Sequence, residues 1–174
     1  MIYLVRHGQT DWNLAGKNQG RTDIPLNATG IEQARQLAEK LKDIHFDCVF
    51  SSPLRRAATT AQIIHNGAII CDERIIERCN GELEGELNTR VRELIDFSDP
   101  TDTRYEVEPL PVFRKRINEF WDMVLTEYVG KNILVVTHAG VVIYSQAYFK
   151  GEPTDGDYRS YKIANCEVLQ FDNT

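Results

Sequence analysis

The chain has 174 residues, 42% of them hydrophobic and 26% charged, so one globular domain is expected and disorder as the main state is excluded. No apolar run reaches the 18 or so residues that cross a bilayer, so no membrane partner is expected. Twenty Lys and Arg against 26 Asp and Glu leave a net charge of −6, which argues against a general nucleic-acid binder.

The chain opens with MIYLVRHG. That start has no basic region, long apolar stretch or small-residue cleavage site, so neither secretion nor import is signalled and a cytoplasmic location is expected. Residues Ile2 to Val5 form a short apolar run that reads as a buried strand. From Asn27 to Lys42, Ile31, Ala34, Leu37, Ala38 and Leu41 recur at helical spacing. Either Asn27 or Thr29 can cap that helix. Phe46 to Phe50 reads as a second strand, with Cys48 expected in the core. Pro53 then suits a first helical turn, and Ala57, Ala58, Ala61 and Ile64 continue the helix. Ala68 to Cys71 reads as a third strand.

Residues 72 to 111 lose this regularity. They hold an acidic, glycine-bearing segment (NGELEGE), an amphipathic piece (VRELIDF) and a polar run from Ser98. The stretch reads as an excursion from the sheet, forming a small cap. From Val112 to Tyr128 a helix returns, with Phe113, Ile117, Phe120, Trp121, Val124 and Leu125 on one face. Ile133 to Val136 is wholly apolar, the mark of a central parallel strand. Ala139 to Tyr148 reads as a helix and Cys166 to Phe171 as an edge strand. Trp12, Phe113 and Trp121 are read as core or pocket wall, and no oligomeric state follows from them. None of Cys48, Cys71, Cys79 and Cys166 forms a C-x-x-C pair, so no zinc or redox motif is indicated and reduced thiols are expected.

Strands alternating with helices predict a three-layer α/β/α sandwich on a mostly parallel sheet. Ligands of such sheets sit beyond the carboxyl ends of the strands. That rule brings four places to one rim: Arg6-His7-Gly8, Ser51-Ser52, the turn near Glu77, and Thr137-His138-Ala139-Gly140. Neutral imidazole is a good nucleophile toward phosphorus, and arginine offers phosphate oxygens a planar fork. Arg55 and Arg56 open a helix, where the dipole disfavours cations, so one of them is expected to serve an anion. His138 precedes a helix whose first N–H groups can face an anion. An acid near such a pocket can protonate a leaving oxygen and later take a proton from water. Composition alone leaves Glu77, Glu82, Glu84 and Glu86 as equal candidates.

These residues stand in larger blocks. Leu4 to Asn13 reads L-V-R-H-G-Q-T-D-W-N. Gln19 to Ala34 carries Q-G-x-x-D-x-P-L-N-x-x-G-x-x-Q-A, and Ser51 to Ala61 carries S-S-P-L-x-R-A-x-x-T-A. Glu77 to Gly85 carries E-x-x-x-G-x-L-x-G, and Val136 to Gly140 reads V-T-H-A-G. In this order and over nearly the whole chain, the blocks resemble the histidine phosphatase superfamily, in its phosphoglycerate mutase-like branch. The resemblance implies that His7 becomes phosphohistidine and that Arg6, Arg56 and His138 hold the phosphoryl oxygens. It implies Glu77 as proton donor and acceptor. Thr10, Asn13, Gln19, Gly20 and Ala139 match positions at the pocket. No metal or other cofactor is implied, and the partner is a small phosphorylated substrate.

A mutase must keep its intermediate from water, which lids achieve. The interval from Glu77 to His138 is short for a family mutase, and the sequence ends soon after its last predicted strand. Hydrolysis of a small phosphomonoester is therefore expected, such as a sugar phosphate, phosphoglycerate, phosphoserine or α-ribazole phosphate. The alternatives are a phosphoglycerate mutase, which Glu77-Arg78 with Gly81, Leu83 and Gly85 echoes, and a protein phosphatase. A non-catalytic binding module would have lost His7, Arg56 or His138, and all three are present. Arg78, Arg90, Arg92 and Arg104 are candidates for a second anionic group of the substrate. The acidic NGELEGE segment is expected to repel highly charged substrates.

Overall fold

The computed structural model describes residues 1–96 and 99–173. Phe97, which closes the VRELIDF piece, Ser98, which opens the polar run, and Thr174 lie outside the described residues.

Five strands form one sheet in the order β3-β2-β4-β1-β5. They are β1 (Ile2–Arg6), β2 (Cys48–Ser51), β3 (Ile70–Cys71), β4 (Ile133–Thr137) and β5 (Val168–Phe171). The first four run parallel, and β5 closes one edge antiparallel to β1. The apolar run at 133 to 136 does mark the centre: β4 pairs with both β1 and β2.

The reason lies in the period of two along each strand. Ile2, Leu4, Ile133, Val135 and Phe50 face one apolar cluster, with Phe113, Ile117, Phe120, Trp121 and Val142. Val5, Val49, Leu134 and Val136 face the other, with Leu37, Leu41, Ala57 and Ala61. Strands buried on both faces therefore read as unbroken apolar runs. The first cluster seats α5 (Leu110–Glu127) and α6 (Ala139–Lys150) on one side of the sheet. The second seats α2 (Ala28–Leu41) and α3 (Arg55–Ile64) on the other. The three-layer sandwich is thus present.

Several local expectations change. Cys48 is half-buried at the start of β2 rather than sealed in the core, and burial still pushes its thiol up. Pro53 precedes α3 instead of lying in its first turn, since Leu54 is the capping residue. Leu54 offers no side-chain cap; the carboxylate of Asp23 accepts from the Arg55 N–H at 2.8 Å instead. The helix read from Val112 begins at Leu110, with Pro111 in its first turn. Leu125 is half-buried. β3 is only two residues long and exposed. A four-residue α1 (Asp11–Leu14), which the apolar pattern does not signal, is fixed by a capping box between Thr10 and Asn13.

The excursion holds α4 (Asn88–Leu94) and short 3-10 turns at Glu73–Ile75, Gly81–Leu83 and Arg104–Glu106. Leu83, Val91, Ile95 and Val107 give it a small apolar cluster of its own.

Asn27, not Thr29, caps α2: its side chain accepts from the Gly30 N–H at 2.9 Å. The same side chain donates to Gln9 at 3.1 Å, tying α2 to the loop after β1. Asn27→Ala is expected to cost about 1 kcal/mol. Urea unfolding would show it as a lower midpoint at unchanged slope, and an unchanged midpoint would deny the cap its weight.

Candidate active site

The carboxyl ends of β1, β2 and β4 deliver His7, Ser52 and His138 to one place. The backbone after β1 is pressed against the start of α2. A methyl group on Gly30 would lie 2.1 Å from the Gln9 carbonyl oxygen, and one on Gly8 would lie 2.5 Å from the Gly30 oxygen. Neither position can carry a side chain without moving backbone. The Gly8 N–H donates to Thr60 Oγ1 at 3.0 Å, and Asn165 donates to the His7 carbonyl at 2.8 Å. His7 is thereby fixed from α2, α3 and the loop before β5.

The two imidazoles lie 5.2 Å apart between ring centres. His7 Nδ1 is 2.7 Å from the Gly8 carbonyl oxygen. A carbonyl only accepts, so Nδ1 carries the proton and Nε2 keeps its lone pair. Arg56 Nε lies 3.2 Å from His138 Nδ1. A guanidinium only donates, so His138 carries its proton on Nε2, which donates to Ser52 Oγ at 2.7 Å. Burial first, and then the charge of Arg56, holds both histidines well below the ordinary imidazole range. Both are neutral at pH 7.

Arg56 is 1% exposed. Its other nitrogens donate to the carbonyls of Thr22 at 2.8 Å and Gly20 at 2.7 Å. Arg6 donates to the Ile163 carbonyl at 2.8 Å. Its Nε is buried and has no hydrogen-bond partner among the described residues, a donor that an anion would satisfy. Burial lowers both arginines, and the Glu77 carboxylate is the foremost influence opposing it. Glu77 therefore sits within the field of both cations. Its two oxygens accept from the N–H groups of Arg78 at 2.9 Å and Gly140 at 3.0 Å, the latter in the first turn of α6.

The remaining expected residues divide. Gly20 is buried at the Arg56 clamp, and Ala139 is half-buried at the start of α6. Thr10 is fully buried, accepts from the Asn13 N–H and donates to Gln19 at 2.9 Å, so it is sealed behind Asn13 and Gln19. Arg78 is buried, and its Nε donates to the Glu108 carbonyl at 2.7 Å. A cleft of about 870 Å³ opens from Glu77, Arg78 and Ala139, past Tyr144, to Arg92 and Lys162. Arg90 and Arg104 do not line it; they pair with Glu86 and Asp102 on the surface. Among the acidic candidates, Glu84 is spent on the N–H groups of Arg21 and Thr22, and Glu82 and Glu86 are exposed. Only Glu77 of the four lines the cleft. Ser52 does stand at the rim where the strand-end rule puts it; Thr60 and Asn165 carry no expectation from the sequence, although Thr60 lies inside the S-S-P-L-x-R-A-x-x-T-A block, which was the available signal.

Residues 2–174 match the family described as the histidine phosphatase superfamily (branch 1). The chain belongs to that superfamily. An uncharacterized phosphatase, PhoE, from Bacillus subtilis (strain 168) is 39% identical over 145 residues, covering 81% of this chain and 72% of that protein. A probable phosphoglycerate mutase, GpmB, from Proteus mirabilis (strain HI4320) is 31% identical, covering 98% and 84%. Among solved structures, phosphoserine phosphatase from Entamoeba histolytica in complex with 3-phosphoglyceric acid superposes with a TM-score of 0.82. It is 28% identical, with 96% of this chain and 87% of that one covered. Both phosphatases and mutases of the superfamily are thus similar to this chain. No helix among the described residues is long and apolar enough to cross a membrane.

The two buried neutral histidines carry a stability consequence. Unfolded, each titrates near pH 6.5; folded, each binds its proton only well below that. Their contribution is therefore complete above about pH 6.5 and is lost as pH falls. The loss is about 1.4 kcal/mol per pH unit for each histidine. Urea midpoints from pH 7 to 5 are expected to fall less steeply in His7→Gln than in the wild type. Parallel profiles would show that His7 charges as readily folded as unfolded.

Proposed function

We propose that this protein is a phosphatase that hydrolyses small phosphomonoesters through a phosphohistidine at His7, without a metal ion. The observation that carries this reading is the His7 tautomer. The Gly8 carbonyl holds the proton on Nδ1, so a neutral Nε2 lone pair stands in the field of the buried Arg56 and half-buried Arg6 guanidinium groups.

In the first step Nε2 attacks phosphorus as the ester oxygen leaves. Arg6 and Arg56 stabilise the charge on the phosphoryl oxygens, and the His138 Nε2–H joins them by exchanging Ser52 Oγ for the bound group, together supplying what a metal ion supplies elsewhere. Glu77 gives the leaving oxygen a proton. In the second step water attacks phosphorus, Glu77 takes a proton from it, and the P–N bond breaks. Asn13, Gln19, Gly20 and Ala139 surround the phosphoryl end, with Thr10 orienting Gln19. The cleft beyond Glu77 takes the alcohol portion, and Arg78 lies in its wall. The rim residues Arg92, Asp155, Arg159 and Lys162 are exposed, and this favours hydrolysis over a mutase, which must exclude water. Four free thiols fit a reducing cytoplasm as the place of action.

p-Nitrophenyl phosphate hydrolysis tests the reading. Wild-type turnover is expected to survive chelator and to fall by about 10³-fold or more in His7→Ala. Turnover that chelator abolishes would contradict the metal-free mechanism. Isomerisation of phosphoglycerate without release of inorganic phosphate would establish the mutase instead.

A further inference from the structure

Glu77 lies between two 3-10 turns, in a segment with no helix or strand of its own. Its backbone carbonyls therefore need partners from elsewhere. Four successive carbonyls find them. Arg116 on α5 donates from one nitrogen to Arg74 at 2.7 Å and Ile76 at 2.6 Å, and from another to Glu77 at 3.0 Å. Thr137, next to His138, donates to Ile75 at 2.7 Å. Arg21 adds a second bond to the Glu77 carbonyl at 3.1 Å.

Arg116 is itself aimed by a carboxylate. Glu108 accepts from Arg116 at 2.9 Å and 3.0 Å and from Arg21 at 3.1 Å. The Arg116 and Glu108 side chains are only 14% and 9% exposed. Phe113, Ile117 and Phe120 anchor the same helix in the core at full burial, so Arg116 projects from a rigid element. The Glu77 carboxylate in turn has little freedom. A methyl group on Gly140 would lie 2.4 Å from its Oε1.

We propose that Arg116, aimed by Glu108 and supported by Arg21, is the positioning residue that sets the Glu77 carboxylate against the leaving group. Arg116 touches neither phosphate nor alcohol in this account. It clamps the carbonyls of Arg74, Ile76 and Glu77 itself, so that the carboxyl reaches the first turn of α6 in one pose. The inference rests on the hydrolase reading above. In the step it serves, the proton passes from Glu77 to the ester oxygen as the P–O bond breaks and the Nε2–P bond forms.

A leaving-group series tests the assignment through kcat/KM, which reports the step that expels the alcohol. p-Nitrophenolate leaves with little help from an acid, whereas a simple alcohol must be protonated. Arg116→Met is expected to lose at least about 10-fold on an alkyl phosphate and less than about 3-fold on p-nitrophenyl phosphate. Glu77→Gln is expected to share that selectivity. Arg116→Lys, which keeps the charge without the fork, should recover little. Arg21 is 39% exposed, so Arg21→Met keeps the test open should Arg116→Met fail to fold; a smaller loss of the same selectivity is expected.

A second readout needs no turnover. The Gly140 amide resonance is expected to move upfield in these variants as its bond to Glu77 weakens. Equal losses on both esters, or an unmoved Gly140 resonance in the folded variants, would overturn the assignment. If the wild type turns over none of the esters, the hydrolase reading falls, and the Gly140 resonance alone decides the positioning.

Discussion

A guanidinium with 1% exposure must find an acceptor for every donor it turns inward. Arg56 meets that demand with the carbonyls of Gly20 and Thr22 on one side and His138 Nδ1 on the other. The loop at 20 to 22 must bend to present those carbonyls. It is held in that shape by Glu84, which accepts from the N–H groups of Arg21 and Thr22. The next residue, Asp23, then caps α3, the helix that carries Arg56. The same guanidinium fixes the His138 tautomer and, after burial, does most to keep both histidines neutral. One buried cation thus sets a loop shape, a proton position and a charge state together.

The sheet and the gathering of the motif residues at one rim were legible because local and global signals agree there. Strands covered on both faces must be apolar throughout, so the central position of Ile133 to Val136 follows from composition alone. His7, Arg56, Glu77 and His138 each lie within a sequence block, and the parallel sheet gathers strand ends on one rim. What escaped was decided by tertiary partners. Asp23 caps α3 from 32 residues away, so no pattern around Leu54 marks that start. α1 is four residues held by a capping box, too short for periodicity to register. Arg116 sits on an amphipathic helix whose apolar face was read correctly. Nothing in that pattern tells a surface arginine from one that clamps three carbonyls.

The two ends of the site are built differently. The phosphoryl end rests on strand termini, two helix starts and glycines that admit no side chain. The alcohol end is lined from the excursion, α6 and the loop before β5. On the proposed reading, phosphoryl transfer belongs to the strand ends and the choice of substrate to segments with a small core of their own. That division fits residue blocks that carry the superfamily resemblance and say nothing of the alcohol portion.

The most direct test of the account is the position of the phosphoryl group on the trapped enzyme. Rapid quenching with labelled substrate, followed by digestion in base and separation of the two phosphohistidine isomers, reads it. The account predicts base-stable, acid-labile label on Nε2 of His7, because Nδ1 spends its proton on the Gly8 carbonyl. Label on Nδ1, on another residue, or stable to acid would contradict it.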